Sequence, residues 1–140
     1  MATYVKFNVF VEDLAEKVHN LGADTLKIAL TNTAPTAATD ATIANITQIS
    51  GTNGYTTGGT AATISSSAQS SGTYKLVLSD VTFTASGGSM GPFRYAVLYN
   101  DTAASDQLIS YWDYGSSITL ADTETFTVDF SASNGVLTLA

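Results

Sequence analysis

The feature that most constrains the fold is a change in hydrophobic period near residue 24. Beyond this point apolar side chains recur at every second position in several separate segments. In TLKIALT (25–31), Leu26, Ile28 and Leu30 fall on one face, and ETFTVDF (124–130) alternates in the same way. Because successive side chains of a β-strand point to opposite faces, this spacing predicts strands with one buried face.

Four further segments give strand or turn signals. TYKLVLSDVTFTAS (73–86) reads as one long strand, with a bulge or bend near Ser79 and Asp80 where the alternation changes phase. Asn134-Gly135 is a tight-turn signal before a last strand, VLTLA. Two stretches stay ambiguous: residues 41–50 between a short helix and a strand, and residues 51–72 between disorder and an exposed edge strand.

Two aromatic strands carry large side chains on both faces. PFRYAVLYN (92–100) is expected to place one set of side chains opposite Ala96 and Leu98, namely Phe93, Tyr95, Val97 and Tyr99. QLISYWDYG (107–115) is expected to place Leu108, Trp112 and Tyr114 opposite Ile109 and Tyr111. One face can fill a core, whereas the other must be covered by the helix, a loop or another subunit. The sequence leaves intramolecular and intermolecular cover equally open.

The composition agrees with an all-β fold. Serine and threonine together number 37 of 140 residues, whereas only 12% of residues are charged. Threonine is β-branched and favours strands. The sequence therefore predicts a single domain over residues 1–140, a jelly-roll-like β-sandwich of about seven or eight antiparallel strands with one short N-terminal α-helix.

The helix is predicted before the change of period. In FNVFVEDLAEKVHNLG (7–22), apolar residues recur at steps of three and four, and Gly22 can end a helix of about three turns. His19 is expected in its last turn, where it would interact with the helix dipole. Residues 1–22 are accordingly expected to form an arm and a helix packed on or beside the sandwich.

The charge balance excludes several classes of partner. The net charge is −7, and the five bases, Lys6, Lys17, Lys27, Lys75 and Arg94, are scattered. Without a basic patch, direct nucleic-acid binding and attraction to anionic membranes are not expected. The chain has no cysteine, no apolar run of membrane-spanning length and no N-terminal apolar run of signal-peptide length. We therefore expect synthesis in the cytoplasm.

Gly87-Gly88-Ser89-Met90-Gly91 matches the G-x-S-x-G pattern of serine hydrolases. That pattern requires a strand-to-helix turn, whereas Pro92 and an alternating strand follow here. Ser89 is therefore predicted to be a turn residue. No catalytic residue, cofactor or metal ligand is assigned, and the protein is expected not to be an enzyme.

The acidic residues read as solvated turn residues, with a weak Ca²⁺ site as the alternative. The acids in question flank two loops and are Asp101, Asp106, Asp122 and Glu124. Arginine, tyrosine and tryptophan are enriched at protein interfaces. The predicted partner-interface residues are Arg94, Tyr95, Tyr99, Tyr111, Trp112 and Phe7, with residues 2–7 as a possible arm.

Three segments together resemble small virion proteins of tailed bacteriophages. They are FVEDLAEKVHNLGADTLKIALTNTAP, SGTYKLVLSDVTFTASGGSMGPFRYAVLYND and ETFTVDFSASNGVLTLA, which span nearly the whole chain. Within that group the chain resembles capsid cement or decoration proteins, and it carries no active-site motif to transfer.

The resemblance implies a non-enzymatic protein on the outer surface of the head shell. Its expected partners are the major capsid protein and further copies of itself, as a dimer or trimer. A tail or tail-fibre module is the main alternative, and a carbohydrate-binding β-domain is a further one.

Overall fold

The computed structural model describes residues 2–140, which form ten β-strands and one α-helix. The helix, α1, spans Val9–Ala15. In chain order the strands are β1 Thr3–Lys6, β2 Leu26–Thr31, β3 Thr60–Ala62, β4 Ile64–Ser70, β5 Thr73–Leu78, β6 Val81–Thr84, β7 Met90–Asn100, β8 Leu108–Leu120, β9 Thr125–Val128 and β10 Leu137–Leu139. The strand count exceeds the predicted seven or eight, partly because residues 3–6 add a strand.

The strands form three antiparallel sheets. The largest has the order β1-β8-β7-β2-β3, and two smaller sheets have the orders β10-β5-β4 and β6-β9. The main core lies between the large sheet and the small ones. It joins Leu26, Ile28 and Leu98 of the large sheet to Leu76 and Phe83 of the small sheets. This arrangement confirms the predicted all-β sandwich with one short helix.

The segment 73–86 makes two strands rather than one. The alternation breaks at Ser79 and Asp80, as predicted, but the break separates β5 and β6, which belong to different sheets. The amide of Phe130 donates to the Asp80 carboxylate, 2.8 Å from nitrogen to oxygen, and so fixes this corner. After the turn at Asn134-Gly135, the last strand pairs with β5.

Bulges correct the predicted faces of the aromatic strands. The β7–β8 register shifts between Phe93 and Tyr95, and again between Leu98 and Tyr99. An extra residue turns the following side chains to the other face. Phe93 therefore joins Leu98 in the main core. On β8, Leu108 lies on the face of Tyr111, and Ile109 on that of Trp112.

The helix is shorter than predicted. Lys17 has a left-handed φ of 69°, and the amides of Lys17 and Val18 donate to the carbonyls of Leu14 and Asp13. These two bonds form a Schellman motif, which ends the helix well before Gly22. The prediction that His19 lies in the last helical turn is therefore wrong.

The two ambiguous segments are resolved. Residues 43–45 form a single 3-10 turn, and β4 is an exposed edge strand of its sheet. Within residues 2–140, no helix has the length and apolar character needed to cross a membrane.

Candidate interaction surface

The outer face of the large sheet, away from the main core, is covered within the chain. Ala29, Val97, Tyr99 and Leu108 point to this face and are buried together with Phe7. The cover comes from the connection between β2 and β3, which supplies Ala37, Ile43 and Ile46, and from Val9. We call these residues the outer cluster. A loop covers most of this face, whereas Phe10 of α1 packs into the main core.

Hydrogen bonds hold the covering connection on the sheet. The amide of Ile49 donates to the carbonyl of Leu30, 3.0 Å away. Tyr55 accepts from the amide of Leu30 and donates to the Gln48 side chain, at 3.1 and 2.6 Å. Burial raises the pKa of Tyr55 to about 12, so its hydroxyl stays protonated at neutral pH.

The predicted interface residues do not form one surface. Trp112 lies on the opposite face of β8 from Tyr111, and the remaining candidates lie on the Tyr111 side or within the outer cluster. Phe7 and Tyr99 are 0% and 2% exposed, so neither offers side-chain surface to a partner in this conformation. Residues 3–6 of the predicted arm pair with β8 as β1.

Arg94 makes a two-pronged ion pair with Asp113. Its Nε and Nη2 atoms lie 2.7 and 2.9 Å from the two carboxylate oxygens. The guanidinium hydrogen bonds hold the pKa of Asp113 below its usual value. Arg94 also lies over the ring of Tyr95, 5.4 Å from its centroid. Because this arginine has partners within its own chain, the pair anchors β7 to β8 at the rim of the covered face.

On the Trp112 side of β8, aromatic rings line an open groove next to β9. Tyr4 contacts Trp112 edge-on, and Trp112 contacts Phe130 in the same way, with centroids 5.5 and 5.4 Å apart. Tyr114 contacts Phe126 at 5.8 Å. We call these five residues the aromatic groove. Tyr4 and Tyr114 are 41% and 51% exposed, and Trp112 and Phe126 are partly buried.

The groove is mainly apolar with a few polar groups. A cavity of about 450 Å³ lies between Trp112, Tyr114, Phe126 and Phe130. Thr127 and Asp129 also line it, and Asp129 is the one charged side chain lining it in the part of the chain that the structure describes. This composition resembles the centre of a recognition site, where aromatic anchors bury on docking and a polar group fixes orientation.

Of the five groove residues, Trp112 is a predicted interface residue and Tyr4 lies in the predicted arm, whereas Tyr114, Phe126 and Phe130 are not among the predicted site residues. The alternation of ETFTVDF places Phe126 and Phe130 on one face, and Tyr114 was expected on the face of Trp112. The pattern does not show that β9 lies beside β8, where Phe126 contacts Tyr114. That neighbourhood depends on tertiary packing between separate sheets.

The catalytic-looking residues lie apart from one another. Ser89 lies in the turn that leads from β6 into β7, a strand, as predicted for a turn residue. The side-chain amide of Asn53 donates to the Ser89 carbonyl. His19 is buried, its Nδ1 faces Asn100, and its Nε2 has no hydrogen-bond partner, so it does not activate Ser89.

The turn acids bond to backbone or to a base. Asp122 accepts from the amide of Gly87, Glu124 accepts from that of Ala121, and Asp101 pairs with Lys27 at 2.9 Å. Across residues 2–140, no group of three or more histidine and acidic side chains has metal-binding geometry.

The fold and the groove together define an all-β sandwich protein with one open aromatic surface. Comparison of the chain with protein-family models, curated proteins and solved structures finds no match.

Proposed function

We propose that the chain is a non-enzymatic virion structural protein, a capsid cement or decoration protein that binds the outer head shell of a tailed bacteriophage. The aromatic groove is the surface that contacts the major capsid protein. Copies of the chain act together as a dimer or trimer, so that many modest contacts stabilise the seams between capsid subunits.

The observation that carries this proposal is the exposure of two tyrosines at the rim of an otherwise packed groove. Tyr4 and Tyr114 already have ring neighbours, so little side-chain freedom is lost when a partner covers them. Large aromatic side chains that become buried at low entropic cost are typical anchors of protein interfaces. The negative charge of −7 further supports an outer location, away from packaged DNA.

Two alternatives are kept. A tail or tail-fibre module would use the same groove against a different virion partner. A carbohydrate-binding role is favoured by one specific observation, namely that Thr127 and Asp129 offer hydrogen bonds beside exposed rings. Aromatic faces next to a few polar groups also suit a sugar.

Binding to purified heads that lack the protein tests the proposal. The wild-type chain should sediment with the heads and raise their heat tolerance, whereas Tyr114→Ser should bind at least tenfold more weakly. Val11→Ser is the matched control, because Val11 is 53% exposed but lies on α1 and does not line the groove cavity. Its binding should be unchanged.

Antibody labelling of virions separates the alternatives. Labelling of heads supports the proposed function, whereas labelling of tails alone favours the tail module. If the chain binds neither heads nor tails but binds a glycan array, and Tyr114→Ser abolishes that binding, the carbohydrate-binding role replaces the proposed function. The mass of the protein in solution tests the dimer or trimer.

A further inference from the structure

A buried polar cluster joins the segment after α1 to the end of β7. His19 is 6% exposed and lies in the connection from α1 to β2, and Asn100, the last residue of β7, is 0% exposed. The His19 Nδ1 atom lies 3.1 Å from the Asn100 side-chain nitrogen. The same nitrogen donates to the Asp24 carboxylate at 2.6 Å.

The orientation of the Asn100 amide is fixed by its other atom. Its side-chain oxygen accepts from the backbone amides of Thr102 and Ala103, at 3.0 and 3.2 Å. An amide rotated by half a turn would present nitrogen to both N–H groups and lose both bonds. The Asn100 nitrogen must therefore face His19 as a donor, and His19 Nδ1 must accept.

This geometry requires a neutral imidazole that carries its proton on Nε2. Nε2 is buried without a hydrogen-bond partner in the described part of the chain. A proton added to Nδ1 would point at the Asn100 N–H group, so that two donors would face each other. Burial also opposes the charged ring and is the main cause of a lowered His19 pKa, against the carboxylates of Asp13 and Asp24, which favour the charged form.

In its present position the ring makes no hydrogen bond to a carboxylate in the described part of the chain, and Asp13 Oδ2 is likewise buried without a partner. Phe10 of α1 packs against the imidazole, with centroids 5.3 Å apart. The imidazole lines an open cavity of about 540 Å³, and so do Lys17 and, from β5, Tyr74. Asp101, next to Asn100, is already paired with Lys27. Charging the ring therefore favours its movement out of the cluster, toward solvent or toward Asp13.

We propose that His19 is an acid-released latch, which holds residues 17–24 against the turn after β7 while it is neutral and releases them when it is protonated. Release frees the segment that lines the cavity with Ser67 and Leu139. The latch does not depend on the proposed virion role, since it concerns one end of the sandwich, and its failure leaves that role untouched.

The sign of the pH effect follows from the lowered pKa. The unfolded chain takes up the proton near pH 6.5, whereas the folded chain takes it up only at lower pH. Stability is therefore highest above pH 6.5 and falls as the pH drops through the window between the two values. For each unit of difference between them, the unfolding constant rises about tenfold across that window.

Because the chain has one histidine, an NMR titration reports on the latch directly. The wild-type ring should show the Nε2–H form and a pKa below 6.5, and amide exchange of residues 18–24, corrected for its intrinsic pH dependence, should speed up as the ring titrates. A pKa at or above 6.5, the Nδ1–H form, or exchange that is unaffected would overturn the proposal.

A matched variant separates the latch from the carboxylates. His19→Asn places an amide oxygen near the position of Nδ1, so it keeps an acceptor for Asn100 but does not titrate. Its denaturation midpoint should stay flat between pH 5 and about 6.5, where the wild-type midpoint falls. Equal pH dependence in both proteins would refute the latch. If the variant does not fold, the wild-type titration still decides.

Discussion

Tyr111 and Trp112 are neighbours on β8, and their side chains lie on opposite faces of the large sheet. The aromatic residues around Tyr111 are covered by the chain, whereas those around Trp112 line an open groove. On the Tyr111 side, the connection between β2 and β3 covers the outer cluster. The ring centroids of Phe7 and Tyr111 are 5.3 Å apart. On the Trp112 side, the rings of the aromatic groove stay partly open toward solvent. Both sides are rich in aromatic residues, so composition does not distinguish them.

The difference lies in what the chain places over each side. The covering connection is fixed at several points, including the bonds of Ile49 and Tyr55 to the backbone of Leu30. Over the groove, β9 belongs to a two-stranded sheet and contacts β8 through side chains such as Phe126. A sealed aromatic face contributes to stability, whereas an open one is available for binding. Mutations in the outer cluster and in the aromatic groove should therefore have separable effects.

The largest effect is expected on the sealed side, for Phe7→Ala. Phe7 is fully buried in the outer cluster, and its removal leaves a cavity that the surrounding strands cannot fill. We expect a loss of about 3–5 kcal/mol in the free energy of unfolding, measured by chemical denaturation.

Val11→Ala is the control for that measurement. Val11 belongs to the same N-terminal region but is 53% exposed, so its truncation should change stability by less than about 0.5 kcal/mol. Comparable losses in the two variants would contradict the sealed outer cluster.

A smaller effect is expected for Tyr55→Phe, which loosens the cover. The change removes the acceptor for the Leu30 amide and the donor to Gln48. Leaving a buried amide unpaired costs roughly 1–3 kcal/mol. Chemical denaturation at neutral pH should show this loss, and an unchanged midpoint would show that the bonds are replaced.

Alkaline pH tests the same residue. Burial raises the pKa of Tyr55 from 10.0 to about 12, so the unfolded chain loses its proton first. The stability due to this group is complete below pH 10 and is lost as the pH rises from 10 to about 12. Burial raises the pKa of Tyr99 too, so Tyr55→Phe should retain a weaker alkaline loss than the wild type.

The sequence predicts the local structure better than the surfaces. Alternation identifies the strands and places Leu26, Ile28 and Leu30 in the core, because a strand's period is set by its backbone. It misplaces Phe93 because a bulge is a tertiary adjustment between β7 and β8. It overextends the helix because the periodic pattern continues past Lys17, which adopts a left-handed backbone that the pattern does not reveal.

The candidate site is harder to predict than the fold. Trp112 is among the predicted interface residues, but its neighbours in the groove come from β1 and from the segment 126–130, far away in the chain. Phe7 and Tyr99 have the residue types of an interface and are buried instead. Residue type indicates aromatic surface, whereas burial depends on which loop lies over it.

The smallest effect on stability is expected for Tyr114→Ala, and Tyr111→Ala is the matched variant on the other face of β8. Both replace a tyrosine of β8, but Tyr114 is 51% exposed in the groove and Tyr111 packs against Phe7 and Tyr95. Tyr114→Ala should cost at most about 1 kcal/mol, because half its surface is already in water. Tyr111→Ala should cost clearly more by chemical denaturation.

In head-binding assays the order should reverse, since truncation of an interface anchor weakens binding by about 2 kcal/mol or more, roughly thirtyfold. If Tyr111→Ala weakens head binding more than Tyr114→Ala does at a temperature where both variants are folded, the binding surface lies on the covered side and not in the groove.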